Sequence, residues 1–371
     1  MSELTRRGFI KLAGVAAAVT ALPNYVSAAN EREVTDMSKK VVPGTGGNHY
    51  VPYNQRKGPE AFVYFTRDLS ANGLVKIFDR VKGVLAGKVA VKLHTGEPHG
   101  PNIIPRPWVK ELIASRLPDA SIIETNTYYD GGRYNTADHR KTLNVNGWTF
   151  CPVDIIDEGG TTLLPVPNGK WFTEMSMGKD IVNYDSFLAL THFKGHTMGG
   201  FGGSDKNIGI GCADGRIGKK WIHTAEGQGQ WSIATEEFME RMTESTKAIT
   251  TYFAHKIAFI NVLRNMSVSC DCEGTAAAPV VTPNIGIVAS LDILAADQAS
   301  VDLVYALPPS ARHDLVERIE SRHGLRQLSY MKEIGMGNDR YHLIDIDNGD
   351  AEISASDAVK GIGGKWVSDG Q

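Results

Sequence analysis

The residues best suited to chemistry stand between positions 192 and 207. His192 and His196 are separated by three residues, a spacing that lets both imidazoles approach one metal ion on a turn or helix. The glycine-rich stretch that follows lets backbone N–H groups come close to an anion, and two lysines supply positive charge. We predict a ligand or active site here, with these further residues: Lys194, Lys206, Gly200, Gly202, Gly203 and Asn207. A flexible surface loop is the alternative.

A pair of thiols at Cys270 and Cys272 is the second candidate. A C-x-C pair can chelate one soft metal ion or bind the edge of a cluster through its thiolates. It can also close into a labile disulfide, or serve packing alone. With Cys151 and Cys212 the chain has four thiols, enough for an iron–sulfur cluster, although their spacing matches no ferredoxin.

From these two segments we predict a bound metal ion or iron–sulfur cluster. Its predicted ligands are His192, His196, Cys270 and Cys272. This requires the loop near position 192 and the thiols near position 270 to converge on one pocket.

His94 and Glu97 form a third candidate, because they follow a predicted strand at a spacing suited to metal ligands or acid–base partners. Solvated side chains on a loop are the alternative. For an enzyme, we predict that His94 and His196 exchange protons, while Lys194 and Lys206 hold a small anionic substrate.

The elements that must position these residues alternate between helices and strands. Apolar periodicity predicts helices over 74–85, 105–118, 235–254, 294–307 and 311–335, the last with a turn at Gly324. It predicts strands over 87–94, 120–124, 187–191, 256–262, 285–290 and 341–346. This order predicts an α/β fold, a mostly parallel sheet flanked by helices, in one unit or two closely associated lobes. Asp297 begins a helical pattern, so we interpret it as a cap of that helix.

The first residues match an export signal. Arg6 and Arg7 stand in a twin-arginine (Tat) consensus, followed by a short apolar stretch over 12–22 and small residues ending at Ala28. We predict a Tat signal peptide over 1–28, an irregular arm over 29–60 and an α/β domain over 61–371. The Tat translocon would then deliver the protein to the periplasm or another extracytoplasmic site. The apolar stretch is shorter than the roughly 20 residues of a spanning helix, so we expect no stable transmembrane anchor.

The charge balance indicates which kinds of partner the protein is suited to bind. The formal net charge of −3 argues against a general nucleic-acid binder, which needs a basic face. Four cysteines are also too few for a disulfide scaffold in 371 residues.

Several of these segments together resemble the domain-of-unknown-function family numbered 362, over roughly residues 60 to 347. The segments that carry the resemblance are His192–His196, Gly200–Gly203, Lys206 with Asn207, Cys270–Cys272 and Asp292–Asp302. The resemblance implies an α/β fold and maps the family's Cys-x-Cys element onto Cys270 and Cys272. Some members carry ferredoxin-type modules and are described as iron–sulfur proteins. The family is also distantly similar to the lactate racemase group, whose members use histidine and lysine around a nickel cofactor.

Three functions follow as expectations. The first is an extracytoplasmic metal- or iron–sulfur-binding protein with a redox role. The second is a metal-assisted enzyme, racemase- or isomerase-like, that acts on a small anionic substrate. The third is a non-catalytic accessory binding protein.

Overall fold

The structure is a computed structural model, and it describes residues 47–363. The predicted signal peptide and most of the predicted arm lie outside these residues. Within them, thirteen strands follow one another along the chain: β1 (Glu60–Thr66), β2 (Val89–Lys92), β3 (Ser121–Glu124), β4 (Val153–Ile155), β5 (Thr161–Pro165), β6 (Glu174–Gly178), β7 (Ser186–His192), β8 (Lys194–His196), β9 (Gly200–Gly202), β10 (Ile257–Leu263), β11 (Gly286–Ser290), β12 (Arg340–Asp345) and β13 (Ala351–Ile353).

Ten α-helices occur in the same range. They are α1 (Ala71–Val81), α2 (Arg106–Arg116), α3 (Thr136–Val145), α4 (Ser204–Cys212), α5 (Gly218–His223), α6 (Thr235–Phe253), α7 (Ile293–Ala306), α8 (Pro309–Ser321), α9 (Arg326–Glu333) and α10 (Ala355–Ala358). None of the helices over 47–363 has the length and apolar character needed to cross a lipid bilayer.

Nine strands form one sheet in the order β13-β12-β1-β11-β10-β7-β2-β3-β4. Only β11 and β13 run antiparallel to their neighbours in this sheet. The predicted α/β fold with a mostly parallel sheet is therefore confirmed. The sheet is continuous from β13 to β4.

The sheet separates two hydrophobic cores, because successive side chains of a strand point to opposite faces. In β7, Phe187 and Ala189 belong to one core, while Leu188 and Leu190 belong to the other. Helices α1 to α3 contribute to the second core, and α4 to α10 contribute to the first. Every residue of β7 and β10 is buried, as expected for central strands covered on both faces.

The acidic residue interpreted as a helix cap does cap a helix, but a different one from that predicted. The side chain of Asp292, not Asp297, caps α7 by accepting the N–H of Ala295. Asp297 lies inside α7 and accepts the N–H groups of Ser204 and Asp205 at 2.7 and 2.9 Å. The prediction for Asp297 is corrected accordingly: it caps α4, the helix that carries Lys206 and Asn207.

Asp205, in the first turn of α4, is a buried carboxyl with few partners. Its Oδ2 accepts the hydroxyl of Thr243 at 2.7 Å, and its Oδ1 has no hydrogen-bond partner. Burial raises the pKa of Asp205 to about 7, assisted by the charge of Asp297. In an unfolded chain an aspartate has a pKa of about 3.9. The stabilisation from the neutral carboxyl is therefore complete below about pH 4 and is lost as the pH rises through about 7.

We therefore expect the free energy of unfolding to decrease between pH 5 and pH 8. The decrease should be a few kcal/mol at most, which is the free energy that corresponds to the pKa shift of Asp205. Asp205→Asn keeps a neutral side chain of the same shape, so this decrease should become smaller. Urea denaturation of both proteins across this pH range measures the effect. Equal pH dependence in the two proteins would show that Asp205 does not cause it.

Candidate functional site

The candidate site lies where four neighbouring parallel strands end. β2, β3, β7 and β10 present their carboxyl ends at the same edge of the sheet, the usual ligand position in open α/β folds. The chain continues from β7 into the β8–β9 hairpin and α4, and from β10 into the turn that holds the C-x-C pair. A cavity of about 280 Å³ opens between these segments. Among its lining residues are six that the sequence singled out: His94, Lys194, His196, Lys206, Asn207 and Cys272.

A group of three possible metal ligands stands at this cavity. Ligand atoms of His196, Cys270 and Cys272 all lie within 4.8 Å of one another. Cys270 and His196 are buried, Cys272 is partly buried, and both thiols are free. The loop near position 192 and the thiols near position 270 therefore converge on one pocket, and this His–Cys–Cys group could bind a metal ion.

Hydrogen-bond donors surround the Cys270 sulfur. The ammonium of Lys206 and the backbone N–H of Cys272 each donate to Sγ of Cys270 at 3.4 Å. The hydrogen bond from the Cys272 thiol lowers the pKa of Cys270 well below its usual value, and the charges of Lys206 and His196 act in the same direction. The pKa of Cys272 is raised, because its thiol donates to Cys270 and is buried.

The two predicted acid–base histidines have the same kind of contact at Nδ1. Nδ1 of His196 accepts the N–H of Gly199 at 2.7 Å, and Nδ1 of His94 accepts the N–H of Gly96 at 3.0 Å. A nitrogen that accepts carries no proton, so the proton of the neutral His196 ring is on Nε2. Nε2 of His94 lies 3.4 Å from the guanidinium of Arg133, which can only donate. Burial lowers the pKa of both rings, and Arg133 beside His94 and Lys206 beside His196 lower it further. The exchange of protons between His94 and His196 stays a prediction.

His192 is separated from the ligand group by its own hydrogen bonds. Its Nδ1 contacts the carboxylate of Asp271 at 2.9 Å, and its Nε2 donates to the carbonyl of Arg264 at 2.6 Å. Because both ring nitrogens are engaged, the prediction of His192 as a metal ligand is corrected: the ring positions Asp271 instead. Lys194 contacts the same carboxylate at 3.0 Å. Burial raises the pKa of Asp271, but His192 and Lys194 outweigh burial and hold it well below its usual range.

Asp271 is the middle residue of the turn between the two cysteines, and its side chain holds this turn in place. An ion pair with Lys194 and His192, all buried, ties Cys270-Asp271-Cys272 to the end of β7. Lys194 was predicted to hold a substrate; the structure shows that part of its charge already serves this anchor.

The glycine-rich stretch does not form the open anion cradle that was predicted from it. A Cβ on Gly203 would lie 2.5 Å from Oδ1 of Asp297, so Gly203 makes room for that carboxylate. Gly200 has a φ of +73° and packs against the backbone of Gly324. A Cβ on Gly202 would touch the side chains of Lys194 and Lys206. Asp297 already occupies the N–H groups at the start of α4.

Asn207 has a structural contact of its own. Its Nδ2 donates to Thr191 Oγ1 at 3.0 Å and to the carbonyl of Lys92 at 3.1 Å, which ties α4 to the ends of β7 and β2. The glycines Gly200, Gly202 and Gly203 pack within the site, and Asn207 also lines the cavity, so its predicted role in binding a cofactor stays a prediction.

A buried ionic network forms another wall of the cavity, and of its members only Glu97 was predicted from the sequence. Glu124 accepts from Lys92 at 2.8 Å and from both N–H and hydroxyl of Thr95 at 2.9 Å. Arg133 donates to Glu97 at 2.8 Å. Glu124 is buried, which raises its pKa, but Lys92 and Arg133 hold the pKa well below the usual range. Glu124 ends the strand predicted over 120–124, and Lys92 lies near the end of the strand predicted over 87–94, so their positions were a signal that could have identified them.

Lys219 and His223 of α5 line the opposite wall. The ammonium of Lys219 donates to Thr125 Oγ1 and to two backbone carbonyls, and it has no carboxylate partner among residues 47–363. Burial lowers the pKa of Lys219 to about 8. Nδ1 of His223 donates to the carbonyl of Lys219 at 2.7 Å, which leaves its Nε2 as an acceptor.

The remaining cysteines lie apart from the group. Cys212 is the last residue of α4 and belongs to the first hydrophobic core, while Cys151 packs against the second. In the described part of the chain, the four thiols that a cluster with cysteine ligands alone would need do not come together.

Comparisons with known proteins bear on family and fold. None of the curated proteins matches this chain. One similar solved structure is the lactate racemase apoprotein from Thermoanaerobacterium thermosaccharolyticum, with 11% identity, 81% of this chain and 86% of that chain covered, and a TM-score of 0.35. Another is a structural-genomics protein from Thermotoga maritima, with 12% identity, 52% and 49% covered, and a TM-score of 0.33. Similarity at this level says nothing about activity.

A family model gives the stronger result. The model described as "Domain of unknown function (DUF362)" matches residues 89–302. This range contains the sheet edge with the His–Cys–Cys group, Lys206 and the capping residue Asp297. Because the match spans more than half of the 371 residues, the chain belongs to the DUF362 family.

Proposed function

We propose that this protein is a metal-dependent enzyme that acts on a small anionic substrate in the cavity at the sheet edge. The observation that carries the proposal is the position of three ligand atoms within 4.8 Å of one another at the wall of a cavity rich in cations. His196, Cys270 and Cys272 would hold the metal ion.

The donor set fits a soft divalent ion. Thiolates and imidazole suit zinc, nickel, copper or iron, whereas magnesium and calcium prefer oxygen ligands. Ligands about 2.3 Å from a zinc ion lie roughly 3.7 Å apart in a tetrahedron, which is inside the 4.8 Å within which these ligand atoms fall. Three protein ligands leave a coordination position for substrate, as in catalytic zinc sites. When bound, such an ion supplies Lewis-acid polarisation of a substrate oxygen.

The side chains around the group suit an anion. Five cations line the cavity: Lys92, Arg133, Lys194, Lys206 and Lys219. They are accompanied by three carboxylates in direct contact with them: Glu97, Glu124 and Asp271. The positive excess lies in a mostly buried space, where charge is weakly screened and attracts a substrate of opposite sign.

A metal ion bound through Nε2 of His196 has a consequence for the neighbouring turn. A metal-bound histidine donates its other nitrogen to an acceptor, but here Nδ1 accepts the N–H of Gly199. Metal binding at Nε2 therefore requires this hydrogen bond to be released. Faster hydrogen exchange of the Gly199 amide is the expected signature.

The first experiment is metal analysis of the purified full chain. We expect one ion per chain after equilibration with zinc, nickel or iron(II) and removal of excess, together with the change at Gly199. The anion affinity should fall when a chelator removes the ion. Folded protein that retains less than about a tenth of an ion per chain under all three conditions contradicts the proposal.

A redox role is the second candidate, because two free sulfur atoms lie within 4.8 Å in one C-x-C turn. Cys270 would attack a small disulfide, releasing one thiol, and Cys272 would then displace the second thiol and close a disulfide. Two protein thiols are oxidised and one disulfide is reduced. Mass spectrometry after treatment with oxidised glutathione should show loss of two hydrogens with no adduct; a stable adduct, or no change, argues against it.

We also propose that the protein works outside the cytoplasmic membrane. The support is the twin-arginine motif with Arg6 and Arg7, an apolar stretch and a small-residue cleavage site. Replacing both arginines with lysine should keep a tagged chain in the cytoplasm, and unchanged export would refute the route.

A further inference from the structure

The size of the cavity limits what the substrate can be. An apolar cavity of about 150 Å³ accommodates benzene. The cavity at the sheet edge measures about 280 Å³. It therefore has room for one ring and a short acid group.

The inner end of the cavity offers a cation with spare hydrogen-bonding capacity. Lys206 is 6% exposed, and its ammonium contacts one acceptor in the described chain, Sγ of Cys270. An ammonium has three N–H groups, so two remain for a ligand. Lys194 is held beside it by Asp271 and by the carbonyl of His192. This end suits a single carboxylate next to the His–Cys–Cys group.

The outer end is aromatic. Trp231 lies in the connection between α5 and α6, with ring centroids 5.1 Å from Tyr128 and 4.9 Å from His223, edge to face in both cases. Met198 and Ile210 complete the apolar lining. Trp231 is 39% exposed although it lines the cavity. Aromatic rings in this arrangement favour a further ring by edge-to-face or offset contact.

We propose that the substrate is a small aromatic carboxylate, with its acid group at Lys206 and its single ring against Trp231 and Tyr128. The inference rests on the proposed function for the anionic substrate, but it does not depend on the metal ion. It predicts that the acid group and the ring of the substrate contribute separately to its binding affinity, through different side chains of the protein.

Calorimetric titration of the full chain with three probes tests this division. Phenylacetate has both parts, acetate has only the acid, and benzyl alcohol has only the ring. We expect phenylacetate to bind at least about tenfold more tightly than either of the others, because only it uses both ends of the cavity. Equal affinity for phenylacetate and acetate, or no binding of phenylacetate, overturns the inference.

Two variants assign the ends. Trp231→Ala should weaken phenylacetate about tenfold and leave acetate unchanged. Lys206→Met should weaken both acids and leave benzyl alcohol unchanged. Tyr252→Ala is the matched control, since Tyr252 is also 39% exposed but does not line the cavity, and it should change no affinity. An effect of Trp231→Ala on acetate equal to that on phenylacetate contradicts the assignment of the ring.

Metal analysis of the same samples separates this inference from the proposed function. Trp231→Ala should retain its metal ion while losing affinity for the ring. A chain without metal that still prefers phenylacetate refutes the metal centre and supports the inference. A chain with metal that shows no preference for the ring refutes the inference alone.

Discussion

Replacement of Cys270 and Cys272 together by serine should lower the affinity for a soft divalent ion by more than about 100-fold. Both sulfur atoms belong to the His–Cys–Cys group, and serine offers a hydroxyl that binds such ions poorly. Removing both leaves His196 as the single remaining ligand of the group. Competition with a chromophoric chelator measures the affinity, and circular dichroism verifies that the double variant folds.

The chain provides its own control for this variant. Cys151→Ser removes a thiol outside the group and should leave the metal content at that of the unchanged protein. His196→Gln removes one of three ligands and should give an intermediate loss. If the double variant binds metal as tightly as Cys151→Ser does, the metal site lies elsewhere and the proposed centre is wrong.

The elements that the sequence predicts well are those with strong apolar periodicity. The strand predicted over 256–262 is β10 (Ile257–Leu263), and the helix predicted over 294–307 is α7 (Ile293–Ala306). Buried central strands and core helices have long apolar runs that give this signal. Helix α3 was missed because it is short and mostly polar, with three buried residues in ten. The β8–β9 hairpin was missed because a glycine-rich segment is predicted to be a loop.

The convergence of the two candidate loops was also predictable, since the carboxyl ends of parallel strands meet at one edge. The choice between His192 and His196 was not. Spacing alone lets both approach one ion, but His192 ends β7 beside Asp271 and Arg264, whereas His196 ends the following short strand beside the thiols. Asp271 was overlooked because the segment was interpreted only through the two cysteines that flank it.

A large loss of stability is also expected when the cap of α4, the helix that carries Lys206, is removed. Asp297→Ala should lower the free energy of unfolding by about 3–5 kcal/mol. The carboxylate accepts from Ser204 N, Asp205 N and Asn261 Nδ2 at 2.7–2.9 Å, all of them buried. Alanine leaves the N–H groups of Ser204 and Asp205 without an acceptor in a dry interior, which costs more than the loss of a surface contact, while Asn261 Nδ2 keeps Ser300 Oγ at 3.0 Å. Urea denaturation gives the value.

A surface carboxylate provides the comparison. Asp350 pairs with Arg80, and both side chains are more than a third exposed. Asp350→Ala should change the free energy of unfolding by less than about 0.5 kcal/mol. A similar small effect of Asp297→Ala would show that water replaces the carboxylate and that the cap does not hold α4.

Gly203 tests the same contact from the other side. Alanine there would place a Cβ 2.5 Å from Oδ1 of Asp297 and push the carboxylate away from α4. Gly203→Ala should therefore be destabilising when Asp297 is present, but should cost little more in a chain that already has Asp297→Ala. The double variant should be more stable than the sum of the single losses predicts, by roughly 1–3 kcal/mol of coupling. Additive losses would mean that the glycine serves backbone conformation alone, and that the approach of Asp297 is not what requires it.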